Sequence, residues 1–266
     1  MTQEDLCPPL EVIFPTLRDF QVNAHVALKK GFLAGHKNQL VMAATGAGKT
    51  MLAMWLIHEA LRKGRRALFV ADRTALIDQT SAVADKLGLT NHGVIQADHW
   101  RRDMSRPFQI ASVQTLAKRG FWPDTDLVFV DEAHCQYAAV TDFIQSTDRP
   151  CIGLSGTPFS KGLGKLYTNL VNVTSMHELV TQGILVPMRV YSCTRADMTG
   201  AKLVGGEWTD QAAAERGTAI LGDVVTEWLK YSPDRKSIAF GATIQHCKDM
   251  CSKFLDAGVM AAVYTS

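Results

Sequence analysis

Three short stretches of the chain combine residue types and spacings suited to phosphate chemistry. The first is Ala43-Ala-Thr-Gly-Ala-Gly-Lys-Thr50, set between an apolar run and a helical pattern. Gly46 and Gly48 permit a tight loop in which the backbone N–H groups around Thr45, Gly46, Ala47 and Gly48 turn toward phosphate oxygens. The helix that follows adds the positive end of its dipole. Lys49 is placed to hold the β- and γ-phosphates, and Thr50 to offer its hydroxyl to Mg²⁺. The first glycine of the general pattern is Ala43 here. A chance glycine-rich strand-to-helix turn is the plain alternative.

The second stretch is Asp131-Glu-Ala-His134, directly after the apolar run Leu127 to Val130. Asp131 can reach a Mg²⁺ shell while Glu132 polarises an attacking water, because phosphoryl transfer mainly requires positioning and charge neutralisation. A helix start whose acids complement the dipole would use the same residues. The third is Leu154-Ser-Gly-Thr-Pro158, where the hydroxyls of Ser155 and Thr157 could bond neighbours such as His134. An ordinary turn is its bland reading.

These stretches fall at the ends of compact β-rich runs: Gln39 to Ala43, Ala67 to Ala71, Gln109 to Ser112, Leu127 to Asp131 and Cys151 to Leu154. Runs of this kind, alternating with helical patterns such as Met51 to Arg62, predict βαβ units and a parallel sheet covered by helices on both faces. Lys63, Arg65 and Arg66 with Gly64 read as a capped helix end. Polar and small residues around 195–217, including Arg195 and Gly205-Gly206, read as a connection. Beyond it the pattern predicts a helix from Ala219 to Tyr231, a strand from Ser237 to Phe240, a helix from Gln245 to Ala257 and a strand from Met260 to Tyr264. The expected organisation is therefore a first domain over 1–187, then a linker and the start of a second over 188–266.

Composition narrows the partners. The 266 residues are 47% hydrophobic and 20% charged, and 28 basic against 26 acidic residues leave a net charge of +2. That excludes a disordered chain and a histone-like polycation, so nucleic-acid contact must come from local patches. No apolar run approaches the roughly 20 residues of a membrane span. Glu4 and Asp5 precede any apolar stretch, the wrong order for a secretory signal, so the cytoplasm is the expected location. Cys7, Cys135, Cys151, Cys193, Cys247 and Cys251 are scattered, which suggests reduced thiols; Cys247 and Cys251 with His246 make only a weak metal motif.

In their order, the three stretches resemble those of superfamily 2 helicases and translocases, in the DEAH-bearing branch that includes RadD-like, XPB-type and restriction-enzyme motors. The resemblance implies a RecA-like P-loop fold, ATP and Mg²⁺ as ligands, and His134, Ser155 and Thr157 as residues coupling nucleotide to movement. Leu17-Arg-Asp-Phe-Gln21 matches a segment whose glutamine reads adenine, which makes Gln21 the expected adenine contact and Arg18 a weaker one. Phe69 to Gln79 and Ile110 to Leu116 look like segments that grip the sugar–phosphate backbone, and Ser237 to His246 like the first turn of a second motor domain. Arg73, Thr74, Ser112, Gln114, Thr115 and Thr243 are then the expected nucleic-acid contacts. Thr74 and Ser112 serve equally well as helix N-caps. Trp100-Arg-Arg102 could stack a base, or be a solvated loop with the indole as an edge anchor.

The resemblance implies ATP hydrolysis coupled to movement on DNA, less so on RNA. Two family motifs that follow the second-domain turn are not in the sequence, and one of them carries an arginine finger worth about 10³ to 10⁵ in rate. ATP binding with poor hydrolysis is the expectation. The alternatives are a P-loop kinase or GTPase and a nucleic-acid-binding fragment without catalysis.

Overall fold

The computed structural model describes residues 14–264 apart from 192–196, 202, 205–206, 219–220 and 234. The N-terminal residues, Cys7, Cys193, Arg195, Gly205-Gly206 and Ala219 thus lie outside the described residues. The chain divides into two compact units, Met1–Pro187 and Met188–Ser266.

The first unit runs α1 (Asp19–Leu33), β1 (Asn38–Ala43), α2 (Lys49–Arg62), β2 (Ala67–Ala71), α3 (Thr74–Lys86), β3 (His92–Ile95), β4 (Phe108–Ser112), α4 (Val113–Arg119) and β5 (Leu127–Val130). It continues with α5 (Ala138–Ser146), β6 (Cys151–Ser155), α6 (Leu163–Leu166), β7 (Asn169–Thr174) and α7 (Met176–Thr181). The strands form one sheet in the order β3-β4-β2-β5-β6-β1-β7, every pair parallel.

Why these runs make such a sheet follows from their period of two. In β2, Phe69 packs with Leu52, Ile57, Ile77 and Ile152, on the face covered by α1, α2 and α3. Its neighbours Leu68 and Val70 pack with Leu116, Val140 and Ile144, on the face covered by α4 and α5. All five β2 residues are buried, which is why the strand reads as a continuous apolar run. Each such side chain removed from water contributes roughly 1.5–3 kcal/mol.

Two strands differ from the sequence expectation. β3 has four residues and opens on His92-Gly93, too short and too polar to stand out. β7 is an edge strand with Asn169 and Asn172 in it and Leu170 54% exposed, so its pattern is half polar. The basic residues after α2 behave as structural anchors. Lys63 is the C-cap, the Arg65 guanidinium lies 3.5 Å from Asp126, and Arg66 donates to the carbonyls of Asp124, Met104 and Arg106.

The second unit contains a two-stranded antiparallel ribbon of β8 (Leu203–Val204) and β9 (Glu207–Trp208), then α8 (Asp210–Thr218), α9 (Leu221–Tyr231) and α10 (Ile244–Asp256). α8 falls in the segment expected to be a connection. Val225, Met250 and Phe254 form a small core joined by Trp228 and Val259. The expected strands Ser237 to Phe240 and Met260 to Tyr264 are not strands. Their apolar residues lack a hydrogen-bonded neighbour strand among the described residues, and Ile238, Phe240 and Met260 are 84%, 91% and 97% exposed. A parallel strand exists only by its ladder, so an apolar run without a partner stays irregular. No helix among the described residues is long and apolar enough to cross a membrane.

Candidate functional site

All strands of the sheet point the same way, so their C-terminal ends share one edge, where ligands bind in open α/β sheets. The candidate residues lie along it. The ends of β1, β5 and β6, adjacent in the sheet, carry the three phosphate-chemistry stretches. The neighbouring ends of β2 and β4 carry Arg73, Thr74, Ser112, Gln114 and Thr115, with Ala71 and Ser112 in register.

Between β1 and α2 the chain turns through Gly46 (φ +86°) and Gly48 (φ +80°), conformations in which a Cβ would be strained. The first helical bond runs from Leu52 N–H to the Gly48 carbonyl at 3.0 Å, so the N–H groups of the preceding turn are left unclaimed by α2. Thr45 and Gly46 are exposed, Ala47 is buried, and Thr50 is half-buried. Lys49 folds back across the loop, its Nζ donating to the Ala43 carbonyl at 3.3 Å. Within the loop Ala47 N–H donates to the Ala44 carbonyl at 3.0 Å; a cation aligned with the remaining N–H groups at a helix start suits a polyphosphate.

Gln21 proves to be part of this loop's support. It is 5% exposed, and its Nε2 donates to the carbonyls of Ala47 and Gly48 at 3.2 and 3.3 Å. Its Oε1 accepts from the backbone N–H of Arg18, whose side chain is exposed. The glutamine therefore clamps α1 to the loop, leaving none of its polar atoms idle.

At the end of β5, burial pushes the Asp131 carboxyl above its ordinary range; the Glu132 charge adds to this, and a bond from Glu132 N–H at 3.0 Å and the Lys49 charge oppose it. A carboxylate so placed gains from a cation beside it. Glu132 sits in the left-handed region at φ +45°, a conformation costing of order 1–3 kcal/mol for a non-glycine residue, and heads the short 3₁₀ turn Ala133–Cys135. His134 Nδ1 lies 3.3 Å from Glu132 Oε2 and 2.9 Å from Ser155 Oγ. Thr157 joins through its backbone N–H, which donates to Ser155 Oγ at 3.1 Å. A continuous polar path thus connects the carboxylates at β5 with the loop after β6. Gly156 lies against the same loop, where an added Cβ would stand in ordinary contact with Lys49 Nζ at 3.6 Å and Thr45 Oγ1 at 3.9 Å.

Arg73, not Thr74, is the N-cap of α3, without a side-chain cap bond, and its side chain is 79% exposed. Thr74 is exposed in the first turn. Ser112 is committed to structure: it caps α4 by accepting from Thr115 N–H at 3.4 Å and donates to Gln114 Oε1 at 2.8 Å. Thr115 Oγ1 accepts from Ala97 N–H, holding the loop after β3. Thr243 lies in the second unit, where it caps α10 through His246 N–H at 3.1 Å.

Sequence reasoning missed one connection. Tyr137, just past the β5 acids, donates its hydroxyl to Asp72 at 2.9 Å, and Asp72 adjoins Arg73. That bond, reinforced by burial, raises the tyrosine pKa to about 12. No local pattern announces a pair so far apart in the chain. Among the described residues no cluster of three or more His, Cys, Asp or Glu is placed to hold a metal by itself. Thr50 and Asp131 with a bound polyphosphate nonetheless suit Mg²⁺, a hard cation that takes few protein oxygens.

Known proteins share this architecture. The chain is 25% identical over 236 residues to the 51.5 kDa protein of Lactococcus phage (isolate 7-9), covering 84% of this chain and 48% of that protein. A fragment assigned as an HsdR subunit of a type I restriction enzyme from Vibrio vulnificus YJ016 superimposes with a TM-score of 0.62 at 20% identity, covering 97% of this chain and 48% of that one. The SWI2/SNF2 ATPase core of Sulfolobus solfataricus, solved in complex with dsDNA, gives 0.55 at 11% identity, covering 95% and 67%. The chain spans about half the length of the first two. Residues 14–160, more than half of the chain and the stretch that holds the loop at β1, the acids at β5 and the turn after β6, match the family described as type III restriction enzyme, res subunit, and the chain belongs to that family.

Proposed function

We propose that the first unit is the ATP-binding motor domain of a nucleic-acid helicase or translocase acting on DNA in preference to RNA. The observation that carries the reading is the convergence at one sheet edge of the glycine loop with Lys49, the Asp131–Glu132 pair and the His134–Ser155 link. In this reading Lys49 and the loop N–H groups hold the β- and γ-phosphates, with Arg18 beside the base and Gln21, whose amide is committed to the loop, supporting it from α1. Thr50 and Asp131 would hold Mg²⁺, which would neutralise charge on the phosphate oxygens. Glu132 orients the attacking water and accepts its proton. His134, Ser155 and Thr157 transmit the change at Glu132 toward the loop after β6. Arg73, Thr74, Gln114 and Thr115 meet the sugar–phosphate backbone, fixing position without reading sequence. Thr243 would add a contact from the second unit. Preference for DNA is supported by the family and by the dsDNA-bound structural relative.

Hydrolysis by this chain alone is expected to be slow. Related reactions gain about 10³- to 10⁵-fold from a second cation at the γ-phosphate, and Lys49 is the one cation this reading assigns there. ATPase rates measured with single-stranded DNA, duplex DNA and RNA test the reading. Nucleotide binding with slow turnover raised by DNA is expected. Turnover of several per second by this chain alone would contradict the slow-hydrolysis part, and indifference to every nucleic acid would contradict the motor.

A further inference from the structure

The loop between β3 and β4 carries a side chain that neither the core nor the nucleotide site uses. Trp100 is 80% exposed, although it belongs to the bulkiest apolar type. Single exposed apolar residues are ordinary, so exposure alone decides nothing. What sets this indole apart is its mounting. The Arg101 guanidinium lies 4.8 Å from the ring centroid and His99 stacks at 5.6 Å with planes 27° apart.

Both supports are themselves fixed. Arg101 donates to both Asp85 carboxylate oxygens at 2.8 Å and lies 2.7 Å from Nε2 of the buried His92, and His99 Nε2 lies 3.5 Å from Asp78. The loop is tied to α4 as well, for Thr115 Oγ1 accepts from Ala97 N–H at 3.3 Å and Arg119 donates to the Ala97 carbonyl at 2.8 Å. Beside the ring opens a groove of about 310 Å³, with exposed Arg102 on its wall; Arg106, also lining it, is tied to Asp103 and Asn91. A rigid aromatic face beside a guanidinium is the arrangement that stacks a base and meets the adjoining phosphate.

The geometry points to Trp100 as a stacking platform for an unpaired base of single-stranded DNA, with Arg102 meeting the adjoining phosphate. This rests on the nucleic-acid reading above and adds to it a contact with the base, where the residues at β2 and β4 offer contacts to the backbone only. Thr115 links the two, since the hydroxyl that holds the loop stands in the helix start already placed at the strand.

The test titrates labelled oligothymidylate, an abasic strand of equal length and a duplex into the wild-type chain, Trp100→Ala and Trp100→Phe. Trp100→Ala is expected to weaken oligothymidylate binding about tenfold, Trp100→Phe to keep most of the affinity, and both to bind abasic strand and duplex like wild type. Undiminished binding of oligothymidylate by Trp100→Ala overturns the platform, as does an equal loss on the abasic strand. A wild-type chain that binds duplex but not oligothymidylate overturns the platform and leaves the proposed function standing. One that binds neither overturns both.

Discussion

Where β1, β5 and β6 end, the chain turns through left-handed backbone at Gly46, Gly48 and Glu132 and half-buries the Asp131 carboxyl; where β2 and β4 end, Arg73, Thr74 and Gln114 lie exposed on ordinary helix starts. One half of the edge is specialised and strained, the other permissive. The difference matches the two ligands proposed for them. A polyphosphate with a divalent cation needs donors and carboxylates fixed in place before it arrives, whereas a sliding strand needs contacts that form and release with little reorganisation. Tyr137 bonding Asp72 spans the two halves, and so is placed to let each sense the other.

The sharpest way to break this contrast is Glu132→Gln. Loss of the carboxylate proposed to orient the water is expected to lower single-turnover hydrolysis about a hundredfold while nucleotide affinity stays within about threefold. Equal loss of binding and turnover would make Glu132 a structural residue. Asp131→Asn should next separate cation binding from folding. The folded-state pKa is raised, so the wild-type fold is favoured below the unfolded carboxylate range and loses that contribution as pH rises through the folded value. The substitution is therefore expected to raise the melting temperature of the nucleotide-free protein more at pH 7 than at pH 4, and to abolish the Mg²⁺ dependence of nucleotide binding. A melting temperature lowered at pH 7 would contradict the buried-charge account.

Tyr137→Phe removes one hydroxyl at the junction. Basal turnover should stay near wild type and the melting temperature should fall by only about 2–4 °C, while stimulation by DNA falls several-fold, as expected for a bond worth about 1 kcal/mol. Retained stimulation would show that the halves communicate elsewhere. Smallest is Arg73→Ala, with binding weakened about two- to fivefold and the slope of log affinity against log salt reduced by about one. An unchanged slope would remove Arg73 from the strand contacts.

Most of the specialised half was legible in the sequence because its demands are local. A strand buried on both faces is apolar nearly throughout, and a tight loop of positive φ favours glycine, so the segment from Gln39 to Thr50 could be read directly, whereas the positive φ of Glu132 could not. The permissive half was harder. Ser112 and Thr74 are equally good caps by type, and only the backbone shows that Ser112 caps while Arg73 takes the position beside Thr74. The Gln21 clamp and the Tyr137–Asp72 bond join residues distant in the chain, where no pattern connects them. In the second unit the failure was of another kind, since the apolar runs at 237–240 and 260–264 carry strand composition without a paired neighbour among the described residues.

The central claim is that the β1, β5 and β6 ends form a preorganised nucleotide site whose main cation is Lys49. Titration of a fluorescent ATP analogue with Mg²⁺ into the wild-type chain and Lys49→Ala tests it most directly. The account predicts saturable binding by wild type and at least about a hundredfold loss in the variant, with oligonucleotide binding preserved. Equal affinity of the two proteins for the nucleotide would contradict it.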